Sequence, residues 1–103
     1  MTDHAPDAAA VVDPDGTLSR GFNTASALRL DTGSYVVTPS NGGQPATCAY
    51  TAAIGLSGQS GVSDPGFVTV AQGPDGTIAV RTYNKTGNAA DLGFHTIVSC
   101  PIF

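Results

Sequence analysis

Asp91, His95 and Ser99 combine the side-chain types of a hydrolytic triad, a carboxylate, an imidazole and a hydroxyl, at intervals of four residues. Such chemistry needs the serine hydroxyl within hydrogen-bond reach of the imidazole. The alternation of side chains along residues 93–100 predicts a strand, however, on which His95 and Ser99 would lie about 13 Å apart. The chain also lacks a Gly-x-Ser-x-Gly segment that would present a nucleophile. We therefore predict no catalytic residue and expect a protein that is not an enzyme.

Three other patterns resemble ion-binding or phosphate-binding motifs. Residues 13–16, Asp-Pro-Asp-Gly, begin like a calcium loop, but the later acidic ligands are absent and a turn is the better interpretation. The glycines of residues 55–61 are not followed by the Gly-Lys-Ser/Thr of a phosphate loop. The two cysteines and two histidines lack the paired spacing of a zinc site. The sequence thus predicts no metal and no cofactor.

The two cysteines fall in separate alternating runs, each on the more apolar face of its run. A disulfide between Cys48 and Cys100 would close a loop of about 50 residues and stabilise the fold by roughly 4 kcal/mol on the chain-entropy model. A pair of buried free thiols is the alternative interpretation. We predict the disulfide, because both cysteines lie on a strand face that is apolar enough to belong to the core.

Composition and charge restrict the possible partners. The 103 residues carry 4 basic and 8 acidic side chains, a net charge of −4, which disfavours nucleic acid and anionic membranes as partners. No stretch has the roughly 20 apolar residues of a membrane span, so we predict no membrane insertion. Every acidic residue is Asp, and the 13 glycines and 7 prolines suit turns between short strands.

The elements that would position any site are predicted to be strands. Turn signals separate runs typical of extended structure, and no run shows a helical period over ten residues. The predicted strands cover residues 9–13, 17–20, 22–30, 34–38, 47–55, 67–72, 77–83 and 93–100. Seven or eight short strands predict an all-β, antiparallel β-sandwich or jelly roll, in which residues 1–8 form a polar arm and residues 9–103 a single domain. The predicted core is Phe94, Val98, Ile78, Val80, Tyr50, Ile54 and Phe67.

An apolar run follows the polar arm directly and has no obvious local partner before the turn at Pro14-Asp15. It consists of Ala8, Ala9, Ala10, Val11 and Val12. An edge strand of this composition is an open template for pairing. We therefore predict that residues 1–13 lie against another subunit and hold an assembly together.

The order of motifs in residues 32–103 resembles two groups of proteins. The matching segments are Thr32-Gly33-Ser34-Tyr35-Val36-Val37-Thr38, Cys48-Ala49-Tyr50-Thr51-Ala52, Val80-Arg81-Thr82-Tyr83-Asn84 and Ala90-Asp91-Leu92-Gly93-Phe94-His95. One group is the C-terminal module of many bacteriophage tail fibres, and the other is a set of small actinobacterial proteins that keep both cysteines. Thr38 stands where these proteins usually have Phe. The resemblance implies an all-β module, often trimeric, that acts by binding or assembly.

Two functions follow from these observations. The first is a structural virion protein, such as a capsid decoration protein or a small tail subunit, that forms a homo-oligomer, with a trimer favoured, or contacts other virion proteins. The second is an extracellular or cell-surface adhesion module that binds surface glycan or protein through polar loops at residues 39–46 and 56–66. The candidate binding residues are Asn41, Gln44, Gln59, Ser60, Asn84 and Asn88.

Overall fold

The computed structural model describes residues 8–40, 49–58, 61, 64–73 and 76–99, and all of its regular elements are strands. The eight strands are β1 (Ala8–Val12), β2 (Leu18–Phe22), β3 (Thr24–Asp31), β4 (Ser34–Pro39), β5 (Ala49–Ile54), β6 (Gly66–Gln72), β7 (Ile78–Asn84) and β8 (Phe94–Ser99). The prediction of an all-β chain with seven or eight short strands is confirmed. None of the described residues belongs to a helix that could span a membrane.

The strands form two antiparallel sheets of four that pack into a β-sandwich. Sheet 1 has the order β2-β1-β8-β5, and sheet 2 has the order β3-β4-β7-β6. The chain passes from sheet 1 to sheet 2 through Asn23 alone, which adopts a positive φ of 53°. Asparagine tolerates this left-handed conformation better than most residues, so the crossover can be this short.

The core lies between the sheets and is built from one face of each strand. Successive side chains of a strand point to opposite faces, and in β1, β4 and β8 every second residue is buried. The buried apolar residues are Ala8, Ala10, Val12, Tyr35, Val37, Ile78, Val80, Phe94 and Val98. The predicted burial of Phe94, Val98, Ile78 and Val80 is therefore confirmed.

Three other core predictions need correction. Phe67 is 57% exposed, so its predicted burial is wrong. In β6 it is Val68 and Val70 that lie on the inward face, and Phe67 belongs to the alternate, outward set. Tyr50 and Ile54 are only half-buried, because β5 is an edge strand of sheet 1 and is covered by a neighbour on one side only.

The prediction that residues 8–12 form an edge strand open to pairing is wrong, whereas the contact of residues 1–13 with another subunit stays a prediction. β1 lies inside sheet 1, where it pairs with β2 on one side and with β8 on the other. Ala8, Ala10 and Val12 are buried, and Ala9 and Val11 are half-buried. Ala8 therefore belongs to the sandwich and not to a polar arm. The physical reason is that the local strand β2 pairs with one edge of β1, and β8, which comes from the far end of the chain, pairs with the other edge.

The cysteines predicted to form a disulfide, Cys48 and Cys100, lie outside the described residues. The strands that lead toward them are adjacent in sheet 1, with Ala49 of β5 opposite Ser99 of β8. The pairing of the two cysteines stays a prediction.

Candidate functional site

The turn between β3 and β4 meets the loop between β7 and β8. Thr82 donates its backbone N–H to the Gly33 carbonyl at 2.9 Å, and Ala90 donates its own to the Thr82 carbonyl at 3.2 Å. Gly33 has a positive φ of 65°, and a Cβ at this position would lie 2.5 Å from the Thr82 carbonyl oxygen. Only glycine fits this close approach, so the residue at position 33 determines how tightly the two segments join.

Asp91, which lies in the loop between β7 and β8, also binds the β3–β4 turn, and we call this contact between turn and loop the junction. Its Oδ2 accepts a hydrogen bond from Arg29 Nε at 3.0 Å, and its Oδ1 accepts one from the Gly33 backbone N–H at 2.7 Å. The hydrogen bond from Arg29, followed by that from the Gly33 backbone, holds the pKa of Asp91 below its usual value. The carboxylate therefore joins β3, the β3–β4 turn and the loop before β8.

Tyr35 connects this junction to the core. Its side chain is buried, its ring meets the Phe94 ring edge-on with centroids 5.1 Å apart, and its hydroxyl donates to the Pro14 carbonyl at 2.7 Å. Burial is the main cause that raises the pKa of the Tyr35 phenol to about 12. The fold thus favours the neutral phenol strongly over the phenolate.

The raised pKa of Tyr35 predicts an alkaline loss of stability. A group whose folded-state pKa lies above its unfolded value contributes stability that is complete below the unfolded pKa, here about 10, and is lost as the pH rises through the folded pKa of about 12. We expect the urea midpoint of unfolding to fall across this window. In Tyr35→Phe, which cannot ionise, the fall should be much smaller. An equal fall in both proteins would contradict the assignment to Tyr35.

The junction also forms one side of an open pocket on the outer face of sheet 2, which we call the hairpin pocket. Its volume is about 210 Å³. Its lining comes from the β3–β4 turn, from β7 and from the loop after β7: Asp31, Thr32, Gly33, Ser34, Arg81, Tyr83 and Ala89. Residues with aromatic, guanidinium, carboxylate and hydroxyl side chains therefore line one small recess.

The strand register explains why these side chains share a face. Arg81 of β7 lies opposite Ser34 of β4 on one side and Thr69 of β6 on the other. Tyr83 lies two residues further along β7 and opposite Phe67 of β6. Residues i and i+2 of a strand point the same way, so Arg81 and Tyr83 stand next to each other on the outer face.

Two of the predicted binding residues, Asn84 and Asn88, border this region, but their side chains hold their own loop together. Asn84 Oδ1 accepts hydrogen bonds from the Thr86 N–H at 3.0 Å, the Thr86 hydroxyl at 2.6 Å and the Asn88 N–H at 3.1 Å. Asn88 Nδ2 donates to the Thr86 hydroxyl at 3.2 Å. The other four, Asn41, Gln44, Gln59 and Ser60, lie outside the described residues.

The structure does not bring the carboxylate, imidazole and hydroxyl of the triad-like pattern together. Asp91 binds Arg29 and Gly33, as described above. His95 Nε2 lies 2.9 Å from the Leu56 carbonyl oxygen, and Ser99 stands four positions further along the same strand. In the part of the chain that the structure describes, no three His, Cys, Asp or Glu side chains are grouped as a metal site would require.

A second recess lies along β1 and β2 of sheet 1 and has a volume of about 230 Å³. Its lining is largely apolar and consists of Ala9, Ala10, Val11, Arg20, Gly21 and Phe22. The Arg20 guanidinium donates to the Ser57 carbonyl at 2.6 Å and is therefore engaged with the loop after β5. This groove offers apolar contact but few free polar groups.

Sequence reasoning missed Arg81, Tyr83, Asp31 and Ser34 as site residues. A signal was present for two of them, because Ile78 and Val80 were assigned to the inner face of their strand. Because successive side chains of a strand point to opposite faces, this assignment places Arg81 and Tyr83 on the outer face. The contribution of Asp31 and Ser34 depends on the pairing of β4 with β7, which no local pattern reveals.

Comparison with family models, with curated proteins and with solved structures finds no match to this chain. The fold defines it as a sandwich of two four-stranded antiparallel sheets.

Proposed function

We propose that the protein is a non-catalytic binding module that recognises a glycan on a cell surface through the hairpin pocket. The observation that supports this most strongly is the convergence of Tyr83, Arg81 and Asp31 in one exposed recess. Aromatic rings pack against the C–H faces of sugars, and charged or hydroxyl groups orient sugar hydroxyls by hydrogen bonds. This is the adhesion function predicted from the sequence, with its site moved from the Asn- and Gln-bearing loops to the face of sheet 2.

The scale of the recess agrees with this proposal. A drug-sized ligand usually occupies a pocket of about 300 to 1,000 Å³. The hairpin pocket, at about 210 Å³, is smaller and suits one sugar residue of a longer chain. Phe67, which is exposed beside Tyr83, extends the aromatic surface on which a neighbouring sugar could rest.

A structural, virion-type subunit is the second candidate, and a different observation favours it. Phe22, Ala9 and Ile97 form a row across β2, β1 and β8 on the outer face of sheet 1. Phe22 and Ile97 are 53% and 44% exposed, so this row presents two large apolar side chains to solvent. This row could pack against another copy of the chain in a homo-oligomer, or against another virion protein. The assembly would then depend on the outer face of sheet 1.

A pair of aromatic substitutions distinguishes the two candidates. We expect Tyr83→Ala to weaken retention on an array of immobilised oligosaccharides by about tenfold, because the aromatic wall of the pocket is lost. Phe22→Ala, which removes an aromatic side chain from the opposite sheet, should leave retention unchanged. Thermal unfolding of both variants shows whether each is folded.

The opposite pattern would replace the proposal with the second candidate. In that case the wild-type protein would sediment as an oligomer, Phe22→Ala would sediment as a monomer, and no oligosaccharide would be retained by any of the three proteins.

A further inference from the structure

We infer that the hairpin pocket is selective for an acidic sugar, whose carboxylate is bound by the Arg81 guanidinium. This inference rests on the proposed function and names the ligand class of the same site. A guanidinium presents two parallel N–H groups that match the two oxygens of a carboxylate. Arg81 is the group in the pocket that can make this bidentate contact.

The three arginines of the chain differ in what their side chains contact. Arg20 donates to the Ser57 carbonyl, and Arg29 donates to the Asp91 carboxylate. The Arg81 side chain makes no hydrogen bond and no ion pair with any residue that the structure describes, although it lies in the wall of a pocket. Its donors are thus available to a ligand, whereas those of the other two arginines are partly used.

The surroundings of Arg81 hold the pocket in shape before a ligand arrives. The Thr82 N–H bonds to the Gly33 carbonyl, and Tyr83 forms an isolated bridge with Ala89. The hydrogen bonds to Asn84 Oδ1 fix the loop between these residues. A preformed site loses little conformational entropy on binding, so a single sugar can be bound without a large contact area.

The net charge of the protein excludes long-range attraction as the source of selectivity for an acidic sugar. A net charge of −4 does not attract anions from a distance. Selectivity for a carboxylate must therefore come from the short-range contact with Arg81. Asp31, which also lines the pocket, accepts the Thr32 backbone N–H at Oδ1 at 2.8 Å, and its other carboxylate oxygen suits the hydroxyl groups of a sugar. A sugar acid offers both kinds of group, and a simple carboxylic acid offers one.

The test uses two probes that differ in one group, methyl β-D-glucuronide and methyl β-D-glucoside. Their dissociation constants are measured by titration in NMR spectra of the full chain. We expect the glucuronide to bind about tenfold more tightly than the glucoside. Arg81→Gln should remove this preference, and Arg81→Lys, which keeps the charge but loses the planar fork, should reduce it. Lys85→Gln is the matched control, because it removes the same charge from the neighbouring loop outside the pocket.

Results that differ from this expectation would contradict different parts of the inference. Equal binding of both sugars, with no effect of Arg81→Gln, overturns the acidic selectivity and leaves the proposed glycan-binding function standing. Binding of N-acetylaspartate as tightly as the glucuronide overturns the assignment to a sugar, since that probe has carboxylates without a sugar ring. Loss of the preference in Lys85→Gln as well shows a general charge effect and overturns the role of Arg81. Absence of binding by both sugars overturns the inference and the proposed function together.

Discussion

A chain that lacks residues 1–13 will not fold. This deletion removes β1, which pairs with β2 and β8 inside sheet 1 and contributes Ala8, Ala10 and Val12 to the core. Small domains are stable by only about 5 to 15 kcal/mol, and the loss of an internal strand removes two sets of backbone hydrogen bonds as well as core packing. Circular dichroism and a urea titration should show no cooperative unfolding transition.

The matched control is a shorter deletion, of residues 1–7, which ends just before β1. This variant keeps every described strand, so we expect a cooperative transition. A cooperative transition in the longer deletion, with a midpoint near that of the wild-type protein, would show that β1 is not an internal strand. The sedimentation of the shorter variant then reports on assembly without the complication of unfolding.

Substitution of Phe94 by Ala should lower the free energy of unfolding by about 3 to 5 kcal/mol. Phe94 is fully buried and packs edge-on against Tyr35, so the truncation leaves a cavity between the two sheets and removes an aromatic contact. A loss of this size is comparable to the whole stability of many domains of this length. Urea unfolding followed by circular dichroism measures the change.

Phe67→Ala provides the control for Phe94→Ala, because it removes the same atoms from a side chain that is 57% exposed on the outer face of sheet 2. Substitutions of exposed side chains usually change stability by less than about 0.5 kcal/mol. Similar losses in the two variants would mean that the inner and outer faces of sheet 2 have been assigned incorrectly.

Both outer faces expose large apolar side chains, Phe22 and Ile97 on sheet 1 and Leu28, Leu30 and Phe67 on sheet 2, but on sheet 2 the hairpin pocket adds charged groups. Sheet 1 presents an apolar row that contains Phe22 and Ile97. Sheet 2 presents an arginine whose side chain has no protein partner among the described residues, next to a tyrosine and an aspartate. The first chemistry suits contact with another apolar surface, and the second suits a polar ligand with a ring.

The sequence by itself determined the secondary structure, the all-β class and much of the core. The alternation along residues 93–100 correctly assigned Phe94 and Val98 to the inside of their strand. The interval between the predicted strands 22–30 and 34–38 matches the β3–β4 turn, where Gly33 has a positive φ. These features depend on a few neighbouring residues, since the side-chain period of a strand and the φ preference of glycine are local properties.

The tertiary structure alone decided which strands are neighbours and therefore what each outward face contains. Residues 8–12 have the composition of an open edge strand, yet they lie inside sheet 1, because β8 pairs with them from the other end of the chain. Phe67 is as apolar as Phe94, and only the register of β6 against β7 shows that it faces outward beside Tyr83. The hairpin pocket likewise arises where a turn, a strand and a loop that are separate in the sequence come together. Pairing between distant segments depends on the free energy of the whole assembled sandwich, which no short stretch of residues specifies.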